Sequence, residues 1–395
     1  MNFNMKKNFF EFFAGVGLIR EGLSSDNWIC SLSSDVSTDK KDTYVKNYGE
    51  KDFLLEDIWN ISKDISALEG SAFLYTASFP CTDLSISGNR AGLAGIHSGT
   101  IKAFFEIIKI KKSKNEEPKV ILLENVNGFL NSHNGKDIKH TIEAFSELDY
   151  YIDILEIDAN FFTAQSRKRI FIIAVEKSLA EKEMKIKNEN EEANWWTEFD
   201  SNKKIRTAQI KKVILNCPDL KWGIFKINFN NEIHNDLEKY IQKNLPMTSK
   251  KWWNQTRKEY LYSQMTRTHK DRLDSLVNAK NLSYSTVFRR MRNGKSTAEI
   301  KTDGIAGCLR TPRGGSSKQI LIRSGNGSWD VRYLTSREYA RLQGLRDSYK
   351  LPDIENKALF AMGDAVCVPV ISFISKKILT PLYEQWISDN EQSPL

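Results

Sequence analysis

The chain is poor in cysteine, with five thiols (Cys30, Cys81, Cys217, Cys308 and Cys367) among 395 residues. They lie far apart, with no CxxC pair and no histidine cluster nearby. An odd, scattered set argues against both a disulfide framework and a zinc site, so no metal is expected. A reducing, cytoplasmic setting fits it best. Long apolar runs are also missing: none approaches the roughly eighteen residues that span a bilayer. Glu11 interrupts the apolar residues after Met1-Asn2-Phe3-Asn4-Met5-Lys6-Lys7, and Gly15-Val16-Gly17 follows. That pattern argues against a signal peptide, and no membrane partner is expected. No internal repeat is visible.

What is present is ordinary for a globular chain, 40% hydrophobic and 27% charged. The length exceeds the usual single core, so two domains, or one with a long insertion, are expected. A net charge of +8 is compatible with a polyanionic partner.

The first half alternates apolar β-prone runs with helical patterns. Residues 8–13 read as a strand, 14–17 as a turn and 18–23 as a helix opening. A second strand, 28–32, leads to Ser34-Asp35. A polar helix then spans about 38–47. Ala72 to Tyr75 runs into Thr76-Ala77-Ser78-Phe79-Pro80-Cys81, which reads as a buried strand ending in a loop with a thiol at its tip. Ser98 can cap a helix with Ile101, Phe104, Phe105 and Ile108 on its apolar face. The run Val120 to Leu123 ends on Glu124-Asn125, and further strands are expected at 151–157 and 169–175. Strands alternating with helices imply an α/β fold, a mostly parallel sheet with helices on both faces. From about 177 to 300 the rhythm weakens. The pairs Trp195-Trp196 and Trp252-Trp253 read as packing residues there.

Several strand ends carry chemistry, each beside a plainer reading. Phe13-Ala14-Gly15-Val16-Gly17 can bring backbone close to a ligand at a helix N-terminus, though the third glycine of the dinucleotide fingerprint is missing. Asp35, about twenty residues on, can accept hydrogen bonds from a ribose or can cap a helix. Glu124 suits a proton donor in a desolvated site, or a strand-end carboxylate paired with a lysine. Gln165, Arg167 and Arg169 share one side of an extended segment by period two. Two guanidinium forks there suit a phosphate or a carbonyl-bearing base, or form a solvated basic turn.

The order of these motifs is more specific than any one of them. Phe13 to Gly17, Asp35, Asp57-Ile58, Phe79-Pro80-Cys81, Glu124-Asn125-Val126, Gln165-x-Arg167-x-Arg169, Arg332 to Gly344 and Gly363-Asp364-Ala365-Val366 follow one another. In that order the chain resembles the DNA (cytosine-5) methyltransferase family over most of its length outside 180–300. The resemblance implies a class I AdoMet-dependent methyltransferase, Rossmann-like, with a smaller target-recognition domain. Its implied divisions are 1–180 (catalytic), 181–330 (target recognition) and 331–395 (returning to the catalytic domain).

The resemblance also implies roles. Phe13, Gly15, Val16, Gly17, Asp35, Val36, Asp57, Ile58 and Pro80 would contact S-adenosyl-L-methionine, with Asp364 and Val366 closing that pocket. Cys81 would be the nucleophile, and Glu124, Arg167 and Arg169 would hold the cytosine, with Arg167 on its O2 side. Gln165, Asn125, Arg310 and Arg313 would bind substrate. The basic clusters Arg289-Arg290-Met291-Arg292 and Arg310 to Arg313 would contact phosphates or bases. The implied partner is double-stranded DNA, the protein a monomer beside an independently acting restriction endonuclease.

Five positions depart from the family pattern: Leu18 for a glycine, Thr82-Asp83 for Gln-Pro, Ala164 for a proline and Asp364 for an asparagine. None removes a reacting group. A tRNA substrate is the nearest rival, but the long variable region favours DNA and the Cys-Phe-Thr signature of the tRNA-acting branch is not seen. A regulator without turnover is opposed by the intact Cys81, Glu124 and Arg167. A nicotinamide dehydrogenase is opposed by the missing glycine.

Overall fold

A computed structural model describes residues 6–80, 98–292, 294–312 and 317–391. Cys81, the loop Thr82 to Gly88, and Arg313 with Gly314-Gly315 lie outside the described residues. Two compact units form: Met1–Ile157, Lys168–Asn230 and Val370–Leu395 make unit 1, and Asp158–Arg167 with Asn231–Pro369 make unit 2.

The central strands of unit 1 are buried on both faces, as expected where helices cover a parallel sheet. In order they alternate as β1 (Asn8–Phe12), α1 (Leu18–Ser24), β2 (Ile29–Asp35), α2 (Thr38–Tyr48), β3 (Phe53–Leu55), α3 (Ile58–Lys63) and β4 (Leu74–Ala77). Then come α4 (Ile101–Ser113), β5 (Val120–Val126), α5 (Lys136–Glu147), β6 (Tyr150–Asp158) and β7 (Lys168–Glu176). The seven strands lie in the order β3-β2-β1-β4-β5-β7-β6. β1 to β5 pair in parallel, and β7 runs antiparallel to β5. The parallel strands place their C-terminal ends, and so residues 13, 35, 56 and 78, along one edge. α4 begins at Ile101 behind a 3-10 turn (Ser98–Thr100), with Thr100 rather than Ser98 at its N-cap.

Residues 177–224 also belong to unit 1. They form α6 (Lys177–Glu183), β8 (Lys185–Ile186), α7 (Glu192–Asp200), α8 (Ala208–Asn216) and β9 (Gly223–Ile224), with β8 and β9 antiparallel. Trp195, Phe199, Ile210, Ile214 and Trp222 join the same apolar core as Ile121, Phe145 and Ile172. The compact units thus divide the chain elsewhere than 180/181 and 330/331. Charged outer faces conceal in the sequence an inner apolar stripe that packs on the sheet.

Unit 2 contains α9 (Gln255–Ser263), α10 (Arg267–Val277) and an antiparallel sheet of β10 (Ser283–Arg292), β11 (Lys295–Lys301), β12 (Ile320–Gly325) and β13 (Ser328–Tyr333), ordered β11-β10-β12-β13. Leu261, Met265 and Leu273 from the helices meet Val287, Ile300, Ile322 and Val331 from the strands, with Trp253 packed against them. α11 (Ser336–Leu342) and α12 (Glu355–Asp364) follow. The chain returns to unit 1 through α13 (Val368–Ile374), a π-helical turn (Ser375–Leu379) and α14 (Thr380–Glu391). Glu355–Glu391 is long and apolar enough to cross a bilayer, but 61% of its most apolar window is buried inside the protein. That is the condition of a core helix.

Candidate active site

The turn after β1 is held in a conformation that only a few residue types accept. Phe13, Gly15 and Gly17 have φ of 56°, 59° and 83°. For phenylalanine this left-handed geometry is strained, a cost found most often at functional sites. A Cβ on Gly17 would meet the Tyr48 ring at 2.6 Å, whereas one on Gly15 would meet nothing within 4 Å. Gly17 is therefore needed for packing, and open space lies beside Gly15. The Gly15 N–H donates to Asp35 Oδ2 (2.8 Å) and the Ser37 N–H to Asp35 Oδ1 (2.9 Å). Ser37, not Asp35, caps α2. Asp35 thus ties the glycine turn to the end of β2, with Lys40 Nζ 3.9 Å from its Oδ2.

Asp57 caps α3 by accepting from the Trp59 N–H at 2.8 Å. Ile58 is buried in the core of unit 1, whereas Val36 and Trp59 present exposed apolar surface. Val16 is also buried. Open space over glycine, carboxylates at two strand ends and uncovered apolar side chains fit an adenosine-bearing group.

Further along the same edge, Glu124 ends the apolar run of β5 and is 4% exposed. Ser78 Oγ donates to its Oε2 at 2.5 Å, and Arg169 Nε lies 3.0 Å from its Oε1. The pairing explains the meeting: Glu124 sits opposite Phe171 and Val126 opposite Arg169, so Arg169 leaves the same face two residues away. The partner of Glu124 is an arginine, not the lysine of the plainer reading. Asn125 donates through Nδ2 to Phe79 O (3.1 Å) and accepts from the Val126 N–H (2.8 Å). It fixes the segment that leads through Pro80 to Cys81. Ser78 escaped the sequence reading, although it lies three residues before Cys81.

In unit 2, Gln165 and Arg167 are buried within a web of carbonyls. Arg167, 1% exposed, donates through Nη1 to Leu309 O (2.7 Å) and through Nη2 to Gly363 O (3.1 Å) and Ala365 O (2.7 Å). Gln165 Nε2 donates to Leu342 O (2.6 Å) and Gln343 Oε1 (2.9 Å). The guanidinium groups of Arg167 and Arg169 thus engage different protein partners, three carbonyls and Glu124. A Cβ on Gly363 would meet Thr311 N at 2.5 Å, so only glycine allows this approach. Together Arg167 and Gly363 hold 309–311 against 363–365. This leaves Asp364 and Arg310 exposed and Val366 buried.

Behind the first strand end lies a buried polar chain. Ser33 Oγ donates to Glu11 Oε2 (3.2 Å) and shares a 2.6 Å hydrogen bond with Tyr44 Oη, which accepts from Arg20 (2.6 Å). Burial pushes the Glu11 carboxyl up to about 8, outweighing the Ser33 hydrogen bond and the Arg20 charge. It also drives the Cys30 thiol up to about 11, and the Cys217 thiol upward, so neither suits a nucleophile. A consequence for stability follows. Unfolded, Glu11 ionises in the ordinary carboxylate range; folded, it holds its proton to about 8. Between those values the native state binds more protons, so stability falls as pH rises, by up to about 1.4 kcal/mol per pH unit. In urea titrations from pH 5 to 8.5, Glu11→Gln should flatten that slope. An unchanged slope would show that Glu11 is not its source.

A mostly parallel sheet in this strand order, bearing such a strand-end site, is that of a class I AdoMet-dependent methyltransferase. The profile of the C-5 cytosine-specific DNA methylases matches residues 7–380, and the chain belongs to that family. It is a DNA (cytosine-5)-methyltransferase. The chain is 26% identical over 404 residues to the type II methyltransferase M.HpaII of Haemophilus parainfluenzae, covering 96% of this chain and 91% of that one. It is 24% identical over 379 residues to M.HhaI of Haemophilus parahaemolyticus, with coverage of 94% and 93%. Among solved structures, the S. pombe Dnmt2 methyltransferase superposes with a TM-score of 0.59 at 18% identity, covering 95% of this chain and 99% of that one, a likeness of fold.

Proposed function

We propose that this methyltransferase acts on one cytosine in a particular double-stranded DNA sequence, by base flipping and a covalent bond from Cys81 to C6. The Glu124–Arg169 pair at the end of β5, beside the strand that leads to Pro80-Cys81, carries this reading. S-adenosyl-L-methionine supplies an electrophilic methyl group on its sulfonium. The glycine turn, Asp35, Val36, Asp57 and Pro80 would hold it, with Asp364 and Val366.

Cytosine C5 is too weak a nucleophile to take a methyl group unaided. A Cys81 thiolate forms a bond to C6, and the displaced π electrons make C5 nucleophilic. A free cysteine with pKa near 8.5 is only about a few per cent thiolate at pH 7, so neighbouring positive charge assists. On taking up a proton as the cytosine binds, Glu124 donates to N3 and offsets the charge that develops there. Arg169, ion-paired to Glu124, is the better-supported cation for the O2 side. Arg167, its guanidinium engaged by three carbonyls, is better read as a positioning residue. Once C5 has taken the methyl group, loss of its proton returns electrons to the ring and expels Cys81. A stacked cytosine hides C6, so the base leaves the duplex at a cost of roughly a few kcal/mol.

The names of the relatives, type II methyltransferases, support a role in a restriction–modification system. On this reading the enzyme works as a cytoplasmic monomer beside an independent endonuclease. Bisulfite sequencing of DNA from an expressing host tests substrate, reaction and sequence together. Protected cytosines within one short sequence are expected; full conversion throughout would overturn the reading.

A further inference from the structure

At the far end of β10 and β11, side chains are arranged in a way that fold stability does not explain. Phe288, Arg290 and Arg292 alternate onto one face of β10, opposite Glu299, Thr297 and Lys295 of β11. Glu299 Oε1 accepts from Arg292 Nε (3.0 Å) and Nη2 (2.7 Å). Arg290 lies 3.9 Å from the same carboxylate, its guanidinium 4.6 Å from the Phe288 ring centre. The Arg292 side chain is 60% exposed and that of Glu299 only 14%. An ion pair this open adds about 0–1 kcal/mol at most. What it does fix is direction.

With Nε–H and one Nη2 hydrogen held, Arg292 retains both Nη1 hydrogens and the second Nη2 hydrogen, a two-pronged edge turned away from Glu299. That edge matches the O6 and N7 acceptors of guanine in the major groove. Glu299 also offsets part of the arginine's charge. This weakens a phosphate contact, which rests on charge, more than a bidentate base contact, which rests on donor geometry. Arg290 and Lys295, both exposed, supply the positive charge that brings this end to DNA.

We propose that Arg292 reads a guanine of the recognition sequence and that Glu299 is a positioning residue for it. The proposal rests on the reading of double-stranded DNA as substrate.

Bisulfite sequencing of host DNA exposed to the full chain, or to its R292A, R292K and E299Q variants, tests it. With the unaltered chain, one guanine should recur at a fixed offset from the protected cytosine. R292A and R292K should each relax preference at that offset by about tenfold or more while the other positions stay fixed. E299Q should relax the same offset less, because Arg292 remains but loses its orientation. An even loss across all sites with the motif intact and a shallower salt dependence would mean a phosphate contact, overturning the proposal. No change in any variant would mean a solvated hairpin, with the same result. Absence of protected cytosines with the unaltered chain would overturn the DNA reading itself.

Discussion

Cys81→Ala is expected to reduce methyl transfer by on the order of a thousandfold or more, because the proposed mechanism activates C5 through the Cys81 thiolate. Binding of S-adenosyl-L-methionine should persist, since that site is assigned to Gly15, Asp35 and Asp57 at other strand ends. Transfer of labelled methyl groups to DNA gives the rate, and equilibrium dialysis gives the binding. A variant that still methylated DNA at the wild-type rate would rule out the covalent route. The unaltered enzyme should also remain bonded to duplexes carrying 5-fluorocytosine at the target, because fluorine cannot leave C5 as the proton does. Three of the four described thiols sharpen this expectation. Cys30 and Cys217 are held toward the neutral form by burial, and Cys367 is also buried.

Glu338→Ala should be the most damaging change to unit 2. Arg332 donates through Nη1 and Nη2 to the two Glu338 oxygens at 2.7 and 2.6 Å, and both side chains are fully buried. Glu338 also accepts from the Thr335 N–H, closing a capping box on α11, and from the Gln242 N–H. Truncation leaves a buried guanidinium without its counter-charge, held only by the Tyr333 carbonyl, and two backbone donors unanswered, at a cost of about 3–5 kcal/mol. That is a large part of the roughly 5–15 kcal/mol that keeps a domain folded. Urea unfolding should show it as a lowered midpoint. Because paired apolar replacement of a buried ion pair is often nearly neutral, Arg332→Met with Glu338→Leu should recover much of the loss. If the single substitution moved the midpoint no further than a surface change does, the pair would not hold the unit together.

Much of this was legible in the sequence because buried strands of a parallel sheet declare themselves as apolar runs. Phe9 to Phe12, Leu74 to Ala77 and Val120 to Leu123 each became a strand of the central sheet, and the groups after them gathered along its edge. Residues 177–224 were less legible. Trp195 and Trp222 pack into the core from among charged neighbours, and only the fold reveals which face points inward. Arg167 was hardest to read. Its environment is three carbonyls from residues 309 to 365, far away in sequence. Period-two spacing says which way a side chain leaves a strand, not what awaits it. The companion at Arg169 became clear only through the register of β5 against β7.

Unit 2 is assembled from a ten-residue piece, Asp158–Arg167, and the long stretch Asn231–Pro369. Unit 2 is therefore not carried by one continuous stretch of chain. Expressed alone, 231–369 would lack Gln165 and Arg167, and the carbonyls of Leu309, Leu342, Gly363 and Ala365 would each lose a native donor, with Ala365 keeping that of Gln343. The decapeptide behaves as a key cut for one lock. A fragment of unit 2 meant to keep these bonds has to include both pieces.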